Sequence, residues 1–156
     1  MSKKDTADLL KFLAPFPEDV QELALFTRDF IYDLYPTCNE LIYDNYNALA
    51  LGWSTTGKLG DTFCSIAVFA KYIHFGFYRG SQVSDPEGRL LGKGSQYRYL
   101  KIEQKKGLPK TYLKKLLMDA YANSIVHLKR KGLEPQLRSA TIVKSISPAK
   151  KRPQKP

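Results

Sequence analysis

The chain has 156 residues, of which 43% are hydrophobic and 12% aromatic, which excludes an intrinsically disordered protein and suits one domain with its own core. Its two cysteines, Cys38 and Cys64, form neither a CxxC motif nor a zinc-ligand pattern, so a disulfide framework and a structural zinc site are excluded. Reduced thiols predict a cytoplasmic protein. The sequence has no apolar run of about 20 residues, so no membrane span is predicted.

Two helices are predicted in the first part of the chain. Residues 5–13 fit a short amphipathic helix inside an N-terminal segment that covers residues 1–14. Residues 17–35 fit a longer helix that begins with Pro17 and ends before Pro36. Its apolar positions recur at steps of three and four, which predicts one buried stripe: Val20, Leu23, Ala24, Thr27, Ile31 and Leu34.

The middle of the chain has the composition of β-strands. Residues 41–53 predict one or two strands. Residues 65–80 are rich in aromatic and β-branched side chains, and they predict either two strands with a sharp bend or one hairpin that turns at Ala70-Lys71. Residues 96–104 alternate, with Tyr97, Tyr99 and Lys101 on one side, so this strand is expected to expose one face.

A second long helix is predicted over residues 110–131, with Gly132 as its C-terminal cap. Its expected buried stripe is Leu113, Leu116, Leu117, Ala120, Ser124 and Leu128. Residues 133–156 mix proline with lysine and serine and show no periodicity, so they predict a flexible, basic tail behind a domain that covers residues 15–132.

This order of elements predicts an α+β fold. We expect a two-layer sandwich in which a mainly antiparallel sheet of about five strands has the N- and C-terminal helices packed on one face.

The formal net charge of +10 is unevenly distributed. Residues 1–60 contain 5 Lys and Arg against 9 Asp and Glu, whereas residues 61–156 contain 20 against 6. Five of the positive charges lie in the last 13 residues. This asymmetry has two interpretations. The protein has an anionic partner such as nucleic acid, which it binds through the tail or through a folded site, or it is an ordinary domain with a basic tail.

The glycine-rich stretch VSDPEGRLLGKGSQYR, residues 83–98, invites comparison with a phosphate-binding loop. It lacks the GxxxxGK spacing of such a loop, and a strand follows it where a helix is needed to direct backbone amides at a phosphate. We therefore predict turns here, in which Pro86 fixes one backbone angle and Gly88 adopts a positive φ.

Four segments occur in an order and at separations that carry a resemblance to a known family: HFGFYRG (74–80), SDPEG (84–88), LLGKG (90–94) and YRYLKI (97–102). Together with Pro36 and the upstream strand, they resemble the YdhG-like family, the domain of unknown function 1801, over about residues 15–128. Two positions depart from the family pattern, namely Tyr72, where a histidine is expected, and Lys93, where a small residue is commoner.

The resemblance implies a bacterial, cytosolic, non-enzymatic protein with a frataxin-like α+β fold, and one branch of the family is regarded as an iron-handling chaperone. We therefore expect an iron-binding chaperone that passes weakly bound iron to receiving proteins. Exchangeable carboxylates on one helix face would supply the oxygen ligands: Glu18, Glu22, Asp29 and Asp33. The alternative for this helix face is that its acidic residues only contact solvent, which is the commoner case.

The alternative, from another functional class, is a binding module for an anionic ligand or nucleic acid. Aromatic side chains of the predicted sheet stand in sequence near Arg79, Arg89 and Arg98, and such a sheet can stack bases. An enzyme that uses the aromatic sheet as a substrate pocket is a third hypothesis. However, Cys64 has no nearby base, His74 and His127 lack further ligands at metal-site spacing, and no catalytic motif is present.

Overall fold

The computed structural model describes residues 7–149. The helices are α1 (Ala7–Leu13), α2 (Glu18–Leu34) and α3 (Lys110–Arg130). The strands are β1 (Asn39–Asp44), β2 (Leu49–Ser54), β3 (Thr62–Val68), β4 (Ile73–Phe77), β5 (Arg98–Ile102) and β6 (Thr141–Ile146). None of the helices in the described range is long and apolar enough to cross a membrane.

The predicted helices are confirmed, and their apolar stripes face the core. In α2, which starts directly after Pro17, every predicted stripe residue is buried except Leu34, which is half-buried. All six residues of the stripe predicted for α3 are buried. Periodicity of 3.6 residues therefore identified both the long helices and the face that each one packs inward.

The sheet has the strand order β5-β4-β3-β2-β1-β6. Strands β1 to β5 form a continuous antiparallel series, and β6 lies parallel to β1 at the edge. Of the two predictions for residues 65–80, the hairpin is correct, because the amide of Phe69 donates to the carbonyl of Tyr72 (3.0 Å) around the turn that contains Ala70 and Lys71. The fold is therefore α+β with a mainly antiparallel, mixed sheet.

The sixth strand corrects the expectation of about five. It comes from the segment predicted as a flexible tail, because residues 141–146 pair with β1 over most of their length. The chain reaches this edge along the end of the sheet, where the amide of Gln136 donates to the carbonyl of Thr55 (2.7 Å) and the Asn39 side chain donates to the carbonyl of Gln136 (2.6 Å). The remaining part of the predicted tail, residues 150–156, lies outside the described residues.

The helices share a single hydrophobic core with one face of the sheet. That face presents large apolar side chains from five neighbouring strands: Ile42, Leu49, Leu51, Trp53, Ile66, Val68, Phe75, Phe77, Leu100 and Ile102. Because side chains alternate along a strand, the intervening residues lie on the opposite face, which carries none of the three described helices and which we call the open face.

An ion pair is enclosed between α2 and β1. The Arg28 guanidinium donates from Nε to Glu40 Oε2 (2.7 Å) and from Nη2 to Oε1 (2.9 Å), and both side chains are fully buried. Thr141 of β6 donates its hydroxyl to the same Glu40 Oε1 (2.9 Å). This carboxylate therefore connects α2, β1 and β6.

The glycine-rich stretch forms the predicted turn. The amide of Gly88 donates to the carbonyl of Asp85 (3.1 Å), and Gly88 has a φ of +63°. The Asp85 carboxylate then accepts hydrogen bonds from the Leu90 amide (3.0 Å) and the Tyr112 hydroxyl (2.7 Å). Although burial raises the pKa of Asp85, these hydrogen bonds outweigh it and hold the pKa below its usual value.

Candidate functional site

The four carboxylates predicted to bind iron lie at separate points along α2. Glu18, Glu22 and Asp33 are exposed, and Asp29 is half-buried. Fifteen residues separate Glu18 from Asp33, which corresponds to about 22 Å along a helix. The Glu22 carboxylate also forms an exposed ion pair with the Lys105 ammonium at 3.3 Å.

The arrangement of these carboxylates does not form a preassembled metal centre. Within residues 7–149, no group of three or more His, Cys, Asp and Glu side chains is placed to hold a metal ion. A metal site needs several ligands that converge on one point. Iron binding by this helix face therefore stays a prediction from the resemblance.

The three arginines of the alternative hypothesis each contact a different group. The Arg79 guanidinium contacts His127 of α3, with 3.1 Å between Nη2 and Nε2. The Arg89 guanidinium stacks 4.6 Å from the centre of the Tyr112 ring. Arg98 donates from Nη1 to the carbonyls of Gly94 (2.6 Å) and Tyr97 (2.8 Å), so it stabilises the loop before β5.

The open face is mainly uncharged at its strand positions. Its strand positions, assigned from the pairing register, are Asn39, Leu41, Tyr43, Ala50, Gly52, Ser54, Ser65, Ala67, His74, Gly76, Tyr99, Lys101, Ile142 and Ser145. Not one of these positions carries a carboxylate, and Lys101 adds a positive charge. Several of these positions are buried, among them Asn39, Leu41, Ser54 and Ser65, and the part of the face that solvent reaches does not repel a phosphate backbone.

Aromatic rings form a continuous row across β4 and β5 on the open face. The centres of neighbouring rings lie 5.2 Å apart for Tyr72 and His74, 4.2 Å for His74 and Tyr99, and 6.0 Å for Tyr99 and Tyr97. Each of these pairs is stacked, with interplanar angles between 22° and 28°. We call these four residues the aromatic row.

A cation is associated with one end of the aromatic row. The Lys101 ammonium lies 4.4 Å from the centre of the Tyr72 ring, a cation–π contact. Burial and the nearby Lys101 charge lower the pKa of His74, so His74 is neutral at pH 7 and Lys101 supplies the charge.

Gly76 makes room for the other end of the row. A Cβ atom at residue 76 would stand 2.6 Å from the Tyr97 Cζ atom and 2.7 Å from its Cε1 atom, so the phenol ring occupies the space above this glycine. The Tyr97 hydroxyl is hydrogen-bonded to the Ser65 side chain, and burial raises the pKa of Tyr97. The absence of a side chain at Gly76 thus leaves the space that the Tyr97 ring occupies.

A shallow groove of about 550 Å³ adjoins Tyr97 on the same face. Ala50, Ser65 and Ala67 contribute small side chains to it, and Tyr78 and Tyr97 contribute aromatic rings whose centres lie 6.1 Å apart. Residues 94–96 close one side. The aromatic rings of the row are stacked on one another, so their faces are already covered. A planar ligand ring can therefore contact apolar surface in this groove.

The sequence indicated part of this surface. Alternation placed Tyr97, Tyr99 and Lys101 on one face of β5, and the structure agrees. The groove was missed, because its small residues come from β2 and β3, and only the pairing of Ala50 with Ala67 brings them side by side. Cys64 is a buried thiol, and burial raises its pKa.

Together these observations define the class of the molecule as an α+β domain whose sheet is covered by helices on one face and presents an aromatic, weakly basic surface on the other. No family model, no curated protein and no solved structure matches the chain.

Proposed function

We propose that this protein is a binding module that takes single-stranded nucleic acid on the open face of its sheet. The observation that supports this most is the combination of the aromatic row, the adjoining groove and Lys101 on a face whose strand positions carry no carboxylate. Proteins that bind single strands combine aromatic surfaces for the bases with positive charge for the phosphates.

In this proposal one base enters the groove and lies against Tyr97. The small side chains of Ala50 and Ala67 leave room for a planar ring, and the Tyr78 ring borders it on another side. Burial raises the pKa of Tyr78 to about 12, so its hydroxyl stays protonated at pH 7 and remains a hydrogen-bond donor. A phosphate beside that base would approach the exposed Lys93, and Lys101, at the other end of the aromatic row, would meet a phosphate further along the strand.

The test is a titration of fluorescein-labelled 12-residue oligo(dT) and oligo(U), followed by anisotropy, with a duplex of equal length as comparison. We expect both single strands to bind more tightly than the duplex. Substitution Tyr97→Ala removes the ring against which the base lies and should weaken binding by about tenfold, since one stacked base contributes about 1–3 kcal/mol. Lys101→Gln should reduce the salt dependence by about one phosphate contact.

The matched control for charge is Lys115→Gln, which removes an exposed lysine from α3 on the opposite side of the molecule. Removal of residues 150–156, which include Lys150, Lys151, Arg152 and Lys155, measures the contribution of the basic end while leaving β6 intact. The proposal fails if this truncation abolishes binding, or if Tyr97→Ala and Lys115→Gln have the same effect.

A further inference from the structure

The outer face of α3 carries an exposed apolar stripe with a lysine at each end. Met118, Ala122 and Val126 occupy its middle, Lys115 precedes them and Lys129 follows them. These five residues stand at steps of three and four, and all are exposed, Met118 to 60% and Val126 to 46%. They lie opposite the buried side of α3, so they face away from the core. We call these five residues the outer stripe of α3.

The surroundings of the outer stripe of α3 are positively charged. Lys110, Lys114 and Arg130 are further exposed cations of the same helix. The single acidic residue of α3 is Asp119, which is half-buried and whose carboxylate accepts a hydrogen bond from the Ser84 amide (2.7 Å). A helix with an apolar centre and basic ends fits a partner helix with an apolar centre and acidic ends.

Helix α2 has an outer face of that kind. Its residues at steps of three and four, opposite its buried side, are Glu18, Glu22, Leu25, Asp29 and Asp33. The half-buried Leu25 stands at the centre, with two carboxylates on each side of it. We call these five residues the outer stripe of α2. The two stripes extend over 15 residues in α2 and 14 in α3, which corresponds to about 22 Å and about 21 Å along a helix.

The two helices are neighbours in one layer over the sheet. The Lys110 ammonium lies 4.9 Å from the centre of the Phe26 ring, and the ring centres of Tyr35 and Tyr121 are 4.9 Å apart. Because both outer stripes face away from the core, α2 cannot place its outer stripe on α3 of the same chain. A second copy can do so, and a two-fold axis along the layer makes the contact twice and closes the assembly.

We propose that the protein forms a homodimer through its helix layer, in which the outer stripe of α2 in each copy packs on the outer stripe of α3 in the other. The large Leu25 side chain would meet the small Ala122, and the carboxylates at the ends of α2 would meet the lysines at the ends of α3. The acidic part of the chain, which nucleic-acid binding does not use, has a role in this contact. The open face stays uncovered.

The net charge of +10 opposes self-association only at long range. At 0.15 M salt, interactions between exposed charges are largely screened beyond about 8 Å, whereas the opposite charges of the two stripes come closer than that in the dimer. Packing of α3 on α3 would instead bring the lysines of the two copies together, which is unfavourable. Charge complementarity therefore favours the contact between α2 and α3.

The test is sedimentation equilibrium of the full-length protein in 0.15 M sodium chloride over a series of concentrations. We expect the wild type to reach the mass of two chains. The double variants Lys115→Glu/Lys129→Glu and Glu18→Lys/Asp33→Lys should each weaken self-association by more than about tenfold, because like charges then meet. An equimolar mixture of the two variants should restore the dimer, since every contact between them again joins opposite charges.

The matched control is Lys93→Glu/Lys101→Glu, which removes two exposed lysines outside the helices and changes the net charge by the same amount as Lys115→Glu/Lys129→Glu. It should remain a dimer. Urea midpoints verify that each variant is folded, and the single substitutions Lys129→Glu and Asp33→Lys replace any double variant that is not. A monomeric wild type, a dimer that persists in either charge-reversed variant, or a mixture that stays monomeric would overturn the proposal.

Discussion

The Arg28 guanidinium and the Glu40 carboxylate form a two-bond ion pair in which both side chains are fully buried. The pair joins α2 to β1, and Arg28 also lies 5.3 Å from the centre of the Tyr32 ring. Removing two charges from water is costly, and this cost is offset only while both partners are present. Single and double substitutions of this pair should therefore have very different effects on the free energy of unfolding.

We expect Arg28→Met and Glu40→Leu each to lower the free energy of unfolding by about 3–5 kcal/mol, because each leaves one buried charge without its partner. The double variant should cost much less than the sum of the two. Urea denaturation at pH 7 measures all three. As control, Glu22→Gln breaks the exposed pair with Lys105 and should change stability by less than about 1 kcal/mol. Additive effects of the two buried substitutions would contradict the assignment.

Stability should fall when the pH drops below about 6.5. Burial lowers the pKa of both His74 and His127 in the folded protein, so between these pKa values and the usual one the unfolded chain binds more protons. The stability that the protein has while both histidines are neutral is fully present above pH 6.5 and decreases at lower pH. Urea midpoints at pH 7.5 and 5.5 should differ less in His127→Gln than in the wild type. An equal or larger difference in the variant would disprove the linkage.

Replacement by alanine should destabilise the protein to different extents at Gly76, which lies in β4, and at Gly80, which follows that strand. At Gly76 the new methyl group meets the far end of the Tyr97 side chain, which can swing away. At Gly80 it meets Arg98 Cβ at 2.5 Å and the Arg98 backbone nitrogen at 2.8 Å, which cannot. We expect Gly80→Ala to cost about 1–3 kcal/mol, as overpacking does, and Gly76→Ala to cost less.

Gly76→Ala should nevertheless disturb the open face, because it displaces Tyr97 from its position beside the groove. Oligonucleotide affinity should therefore fall in this variant while the thermal midpoint changes little. The opposite pattern, in which Gly76→Ala unfolds the protein as readily as Gly80→Ala, would show that Tyr97 is held rigidly by its surroundings.

Strand β6 should contribute to stability, although most of its residues are exposed. Thr141→Val removes the hydroxyl that donates to Glu40 and should cost about 1–3 kcal/mol, because the buried carboxylate loses a hydrogen bond. Truncation after residue 139 should cost more, since the partly buried Val143 and the β1 pairing are also lost. Truncation after residue 149 serves as control and should leave the urea midpoint unchanged.

Local patterns in the sequence predicted the local elements well. Apolar residues at steps of three and four predicted α2 and α3 within one or two residues, and alternation separated the two faces of β5. These patterns work because each element must bury one side against a common core. The turn at Gly88 was also predicted, since few residues other than glycine adopt its backbone angles.

Features that depend on distant pairing were missed. The segment TIVKSI forms β6 only because β1 offers it an edge about a hundred residues earlier, and its flanking lysines and prolines resemble those of a tail. Arg28 and Glu40 were missed for the same reason, since a charged residue in a helix gives no sign of a buried partner on a strand. The candidate site was found in part, through Tyr97, Tyr99 and Lys101, whereas its groove required the strand register.

The position of β6 also sets the order in which the chain can complete its fold during synthesis. Thr141 lies 101 residues after Glu40, so a nascent chain on the ribosome has already produced α2, β1 and the other sheet strands before the last partner of Glu40 exists. During that interval the outer edge of β1 has unpaired backbone groups, and exposed strand edges invite pairing with other chains. Pairing of residues 141–146 with β1 therefore closes an edge that is otherwise open to other chains.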